Sequence, residues 1–214
     1  RTQHNWRFVG GGPGNLNQIN PYEHAIGTYA ISEAYTLTGI PDLKSAMEDA
    51  VQVIIDGQNM EGSWDYGYKI DPDANVDVSL SGWHLQALKA AVNAGAANRG
   101  LTTAIENGVR SLKFMLDKRE RGLFKYSTRM ADRRGDLTMT GVAVLCMQLT
   151  GYAISPEAMS GMMALREVNA RWTKGTTPNE DQRQVGEWPL YSWYYIVQAK
   201  FQKGGDGWFE WDKQ

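Results

Sequence analysis

Three aspartates, Asp71, Asp73 and Asp77, stand at two- and four-residue steps just before an apolar segment that opens at Val78. Carboxylates so spaced could donate a proton inside an apolar cavity, or gather around a hard cation that prefers several loop oxygens. The run lacks the central glycine and closing glutamate of an EF-hand loop, so no metal is assigned to it. Asp77 directly precedes a helix and is read first as its N-cap, accepting a free backbone N–H. The catalytic candidates are Asp73, Asp77, Glu187, His24 and His84. His24 and His84 each fall early in a helix, and two readings stand: they look into one cavity, or they are hydrogen-bonded core side chains. His4 lies in the leading loop, and the three histidines form no Ser-His-Asp or His-x-x-x-His array.

Eight Trp and ten Tyr against five Phe form an unusual aromatic set. Trp and Tyr carry a polar atom, so their excess predicts lined surfaces as well as packed core. The densest stretch is Glu187-Trp188-Pro-Leu-Tyr191-Ser-Trp193-Tyr194-Tyr195, with Trp83 and Asp77 at another helix start. Rings beside carboxylates suit sugar stacking, or an apolar or cationic ligand held through cation–π attraction. Trp83, Trp188, Tyr191, Trp193 and Tyr194 are the expected ligand-binding residues, for an isoprenoid or a carbohydrate in a central cavity. The alternative is an aromatic plug. Cys146, the only cysteine, permits no intrachain disulfide and sits in an apolar run as a core thiol. Gly10-Gly-Gly-Pro-Gly14 has the look of a phosphate loop, but no strand precedes it and no Lys-Ser/Thr follows. No cofactor is implied.

The elements that must position these residues repeat. Helical segments open near Tyr22, Val78, Leu137 and Tyr191, which are 56, 59 and 54 residues apart, and each ends at glycine. Second helices follow the first three. Pro41 to Asp56 places Leu43, Ala46, Met47, Ala50, Val51, Ile54 and Ile55 on one face. Leu101 to Asp117 repeats that arrangement, and Ser155 to Ala170 opens on a Ser-Pro-Glu start signal. Leu137 to Leu149 and Val78 to Val92 are apolar nearly all round, which predicts helices buried on every side. Buried helices alternating with one-sided ones predict two layers: an all-α αα-toroid or a section of one, with a simple solenoid as the alternative. Residues 1–20 read as a leading loop and 21–214 as one repeat domain. No segment alternates as a strand does.

At 214 residues the chain is long enough for one well-packed domain. Hydrophobic residues at 42%, charged residues at 21% and a net charge of -2 give no reason to expect a nucleic-acid or acidic-membrane partner. The densest cationic group, Lys118-Arg119-Glu120-Arg121, is interrupted by a carboxylate. No run approaches the roughly 20 apolar residues of a membrane span. The chain opens on Arg1, so a removed leader or upstream region is expected, and the compartment is not legible.

Gln58-Asn-Met-Glu-Gly62-Ser-Trp64 follows an amphipathic helix and resembles the Gln…Gly-x-Trp signature of the squalene-hopene cyclase and prenyltransferase repeats; Gln202-Lys-Gly-Gly-Asp-Gly207-Trp208 is a looser copy. The pieces HAIGTYAISEAY, DVSLSGWHLQALKAA and YSWYYIVQAKFQKGGDGWFEW look like bacterial squalene-cyclase-like repeat proteins. The resemblance, over Tyr22 to Trp211, implies a toroid in which Gln and Trp tie an outer helix to the next inner one. Four helix pairs are fewer than the family's full ring, so a small ring or part of a longer chain is implied. The cyclases protonate their substrate from an Asp-x-Asp-Asp motif; here its positions read Ala74, Val76 and Asp77, and the proton donor is a valine. The Asp-x-Cys zinc pair of the prenyltransferases is missing, since Val144 precedes Cys146 by two, and the Gly-Cys-Gly-Glu-Gln run of thioester domains is absent. The expectation is a ligand- or partner-binding module. A terpenoid cyclase with a relocated acid, or a carbohydrate-active toroid, is the alternative.

Overall fold

The computed structural model describes residues 20–66, 68, 75–130, 132–168 and 189–213. These residues form eight α-helices and one 3-10 turn, with isolated bridges and no strand among them. The helices are α1 (Pro21–Thr38), α2 (Pro41–Asp56), α3 (Val78–Asn93), α4 (Leu101–Phe114), α5 (Leu137–Leu149), α6 (Pro156–Ala164), α7 (Pro189–Lys203) and α8 (Asp206–Asp212). The all-α class read from the sequence holds. The chain groups into two compact units, Arg1–Phe114 and Met115–Gln214. In the first, α1 packs along α3, α2 lies against both, and α4 lies mainly against α3. In the second, α5 packs along α7, α6 against α5, and α8 against α7.

Helix starts follow local chemistry. Asn20, Asp77 and Asp136 precede α1, α3 and α5 and accept first-turn N–H groups from Tyr22, Leu80 and Met139 at 3.1, 2.8 and 2.8 Å. Past the ends of α3 and α5, Ala96 and Tyr152 donate back to the carbonyls of Ala91 and Met147, closing each helix in a Schellman turn around Gly95 and Gly151. In α5 every residue from Met139 to Met147 is buried. Between 75 and 91, only Trp83 and Lys89 keep appreciable exposure. Helices α2 and α4 bury one face each, and so do α1 and α7.

Two helices end earlier than their sequence predicts. The α4 helix stops at Phe114 rather than Asp117, because the chain folds back and Lys125 N–H donates to the Met115 carbonyl while Asp117 N–H donates to Leu123. The α6 helix stops at Ala164, because the Lys200 ammonium takes the carbonyls of Arg166 and Val168 at 3.1 and 2.9 Å. The seven-residue α8 is a fourth second helix, too short for its periodicity to be read.

The loops after α2 and α4 are built alike. Gly62 (φ +78°) lies on α4, where an added Cβ would come within 2.6 Å of the Asn107 carbonyl oxygen. Gly122 (φ +79°) lies on α6, where a Cβ would overlap the Ser160 carbonyl. Two residues on, Trp64 and Phe124 are wholly buried. Each ring lands on a glycine of the next even-numbered helix, Gly108 or Gly161, at which a Cβ would sit 3.1 Å from it. The Gln202…Trp208 stretch is not a counterpart: Gln202 is exposed and Trp208 packs edge-on against Phe201, with centroids 5.0 Å apart.

Gly62→Ala combines a left-handed backbone with a backbone clash, and a loss of about 3 kcal/mol is expected. Gly95→Ala, with nothing within 4 Å, should lose only about 1 kcal/mol. Urea unfolding of both variants checks this, and equal losses would contradict it.

Candidate functional site

In the first unit, the polar residues converge on the N-terminal end of α3. The turn 59–63 is held by Asn59, whose Oδ1 accepts the N–H groups of Glu61 and Ser63 and whose Nδ2 donates to the Asn75 carbonyl. Ser63 Oγ bonds Ser81 Oγ at 2.7 Å and accepts the Asp77 N–H. Asp65 is buried, with Oδ1 accepting Tyr66 N–H at 2.8 Å and Asn75 Nδ2 at 3.4 Å. Tyr22 donates to Ser79 Oγ at 3.0 Å and meets Tyr66 edge-on. Burial raises the Tyr22 phenol well above its ordinary range, so it stays a neutral donor.

Beneath this layer, Trp64 joins three helices. Its indole N–H donates to the Ile54 carbonyl of α2 at 2.8 Å, its ring stacks on His84 of α3 with centroids 4.9 Å apart, and its edge faces Gly108 of α4. Gln58 Nε2 donates to the Gly62 and Ala104 carbonyls at 3.0 and 2.8 Å. Gln58 and Trp64 together tie the loop after α2 to α2, α3 and α4.

His84 Nδ1 lies 2.8 Å from the Leu80 carbonyl, which can only accept, so Nδ1 carries the proton. Nε2 is then the acceptor for the Tyr68 hydroxyl, also at 2.8 Å. Burial, with a smaller contribution from nearby His24, pushes the His84 imidazole down to about 3. Burial likewise raises Tyr68 well above its ordinary range. Tyr68 has φ +51°, an uncommon conformation for an aromatic residue, and is held there by the His84 bond and by close contact with Gly57. His24 Nε2 bonds the Ala50 carbonyl at 3.0 Å, and its ring meets the edge of Tyr68. Both histidines are wholly buried, and both contact Tyr68.

Asp77 is 1% exposed, and its Oδ1 accepts the Leu80 N–H. It is the helix cap that its position predicts. Asp71, Asp73, Glu187 and Trp188 lie outside the described residues, as do His4 and the Gly10–Gly14 stretch. Trp83 belongs to the first unit and Tyr191, Trp193 and Tyr194 to the second. Tyr195 is wholly buried and holds Tyr191 and Tyr194 by edge contacts, both at 5.0 Å between centroids. Those two and Trp193 keep part of their surface exposed. Burial pushes the Cys146 thiol up to about 12, which leaves it unreactive at neutral pH. Among the described residues, no three His, Cys, Asp or Glu side chains are grouped to hold a metal ion, and no helix is long and apolar enough to cross a membrane.

Sequence reasoning missed Tyr22, Tyr66, Tyr68 and Asp65. A signal existed in the Gly-x-aromatic spacing of Gly62-Ser-Trp64 and Gly122-Leu-Phe124, which recurs in the sequence at Gly186-Glu-Trp188. It missed as well a cavity of about 760 Å³ in the second unit, bounded by α6, α7 and the start of α8. No family model, no curated protein and no solved structure matches the chain.

The neutral His84 makes stability pH-dependent. Unfolded, it titrates near 6.5; folded, near 3. Between these values the unfolded chain binds the extra proton, so stability falls as pH falls, by about 1.4 kcal/mol per unit. From pH 7 to pH 5 this group should remove about 2 kcal/mol, read as a lower urea midpoint. His84→Gln should flatten the dependence by that amount, and an unchanged slope would contradict the assignment.

Proposed function

We propose that this chain is an αα-toroid module of the squalene-cyclase repeat type, and that it holds a ligand or partner on part-exposed aromatic side chains of α3 or α7 without transforming it. One observation carries the reading: Trp83 is the only Phe, Tyr or Trp of α3 and the only large apolar side chain between 75 and 91 that is not buried. A Trp ring left part-exposed within the otherwise buried stretch 75–88 suits a ligand face. Tyr191, Trp193 and Tyr194 share this character on α7, where Tyr194 is 40% exposed beside the sealed Tyr195. The ligand classes that such rings suit are an isoprenoid or a carbohydrate.

The chemistry of the candidate groups supports binding over catalysis. Asp77 spends its carboxylate on a helix N–H, and His84 has both ring nitrogens engaged. A cyclase of this type needs an acid free to donate, and the donor position is occupied by Val76, itself buried.

Titration with isoprenoid alcohols and with oligosaccharides, followed by thermal shift, tests the reading. Saturable binding to one class is expected, weakened at least tenfold by Trp83→Ala, a change of about 1.4 kcal/mol or more. Asp77→Asn should leave binding intact and stability nearly unchanged, while Asp77→Ala should cost about 1 kcal/mol of stability. Incubation with squalene should give no cyclised product. Silence across both ligand classes, or a cyclised product lost in Asp77→Asn, would contradict the proposal.

A further inference from the structure

The cavity in the second unit lies beside a short connection. In the first unit, α3 and α4 are joined by a loop whose Asn98 and Ala97 reach α2: Asn98 Nδ2 donates to the Glu48 carbonyl and Gln52 Oε1, and Ala97 N–H to Glu48 Oε1. That loop is thereby closed onto α2. The α7 and α8 helices are joined by Gly204-Gly205 alone, so among the described residues no comparable loop reaches α6. The cavity is about 760 Å³, within the roughly 300–1,000 Å³ typical of small-molecule sites.

Its lining has two characters. Met159, Met162 and Met163 of α6, with Ile154 and Trp208, make an apolar floor. Ile154, Met159 and Met163 are 86%, 57% and 66% exposed, so a ligand laid over them would gain by covering them. Methionine side chains adapt their shape to a flexible chain. Among the described lining residues the charged ones are Arg166, Lys200 and Lys203 against one carboxylate, Asp206. Lys200 is fixed: its ammonium donates to the Arg166 and Val168 carbonyls and lies 4.9 Å over the Trp211 ring. Arg166 is 3.9 Å from Glu167, but both are highly exposed, and such a pair contributes little.

The geometry points to this cavity as a binding site for a single-chain amphiphilic anion: an unbranched acyl chain over the methionines, its carboxylate beside Lys203 and Arg166. The inference goes beyond the aromatic face. The cavity takes only the C-terminal end of α7, away from Tyr191 and Trp193 at its start.

Calorimetric titration of the whole chain with octanoate, decanoate and dodecanoate, all kept monomeric, tests it. Affinity should rise about fourfold per methylene. Dodecyltrimethylammonium should bind at least tenfold more weakly than dodecanoate. Lys203→Glu and Met163→Glu, both at exposed positions, should each weaken dodecanoate at least tenfold with an unchanged melting temperature. Trp83→Ala should leave dodecanoate affinity as it was, which separates this site from the aromatic face. Equal affinity for the cationic amphiphile, no dependence on chain length, or binding to anionic vesicles without uptake of monomeric dodecanoate would each overturn the inference.

Discussion

A wide aromatic ring can seal the junction of three helices only where one of them offers no side chain at the landing point. Gly108 and Gly161 meet that requirement, and Leu85 and Val144 close on the same glycines from α3 and α5. Much else follows from this fit. Trp64 can reach the Ile54 carbonyl only when its ring lies flat in the notch, and Gly62 must hug α4 to aim it there. A side chain at Gly108 would lift the ring and, with it, the loop that carries Ser63, Asp65 and Tyr68.

The same packing decides what the polar residues do. Because Trp64 covers His84, the imidazole is sealed from water and stays neutral, which allows it to accept from Tyr68. Because Ser63 is pinned over α3, its hydroxyl meets Ser81 and the backbone of Asp77. Residue types that could do acid–base work in an open cleft are here consumed in holding loops to helix ends. A group whose lone pairs and protons are all engaged in the ground state has little to offer a substrate. The part-exposed rings and the methionine groove, where binding is proposed, are surfaces that the core does not use.

How much of this could be read in advance depended on whether the cause was local. The α2 helix runs from Pro41 to Asp56 as its periodicity predicts, since proline starts it and one apolar face holds it. The N-cap role of Asp77 was legible for the same reason. The end of α6 was not, because it is set by Lys200, more than thirty residues away in sequence. Phe124 escaped notice because the loop after α4 keeps only glycine and an aromatic ring, without the glutamine that marks Gln58. The Gln202…Trp208 stretch misled for the converse reason: the letters agree, but Gln202 is in α7 and Trp208 in α8, so neither can act as a loop staple. The fates of His24 and His84 turned on burial, which spacing does not encode. The groove beside α6 brings together residues of α6, α7 and α8 that lie far apart in sequence, and no local pattern marks it.

The most direct measurement is the unfolding free energy of Trp64→Ala beside that of Trp83→Ala. If the ring of Trp64 ties α2, α3 and α4 together, its removal should cost about 3–5 kcal/mol, and Trp83→Ala should cost far less. A loss at Trp64 of under about 1 kcal/mol, the range of an ordinary surface change, would contradict the account.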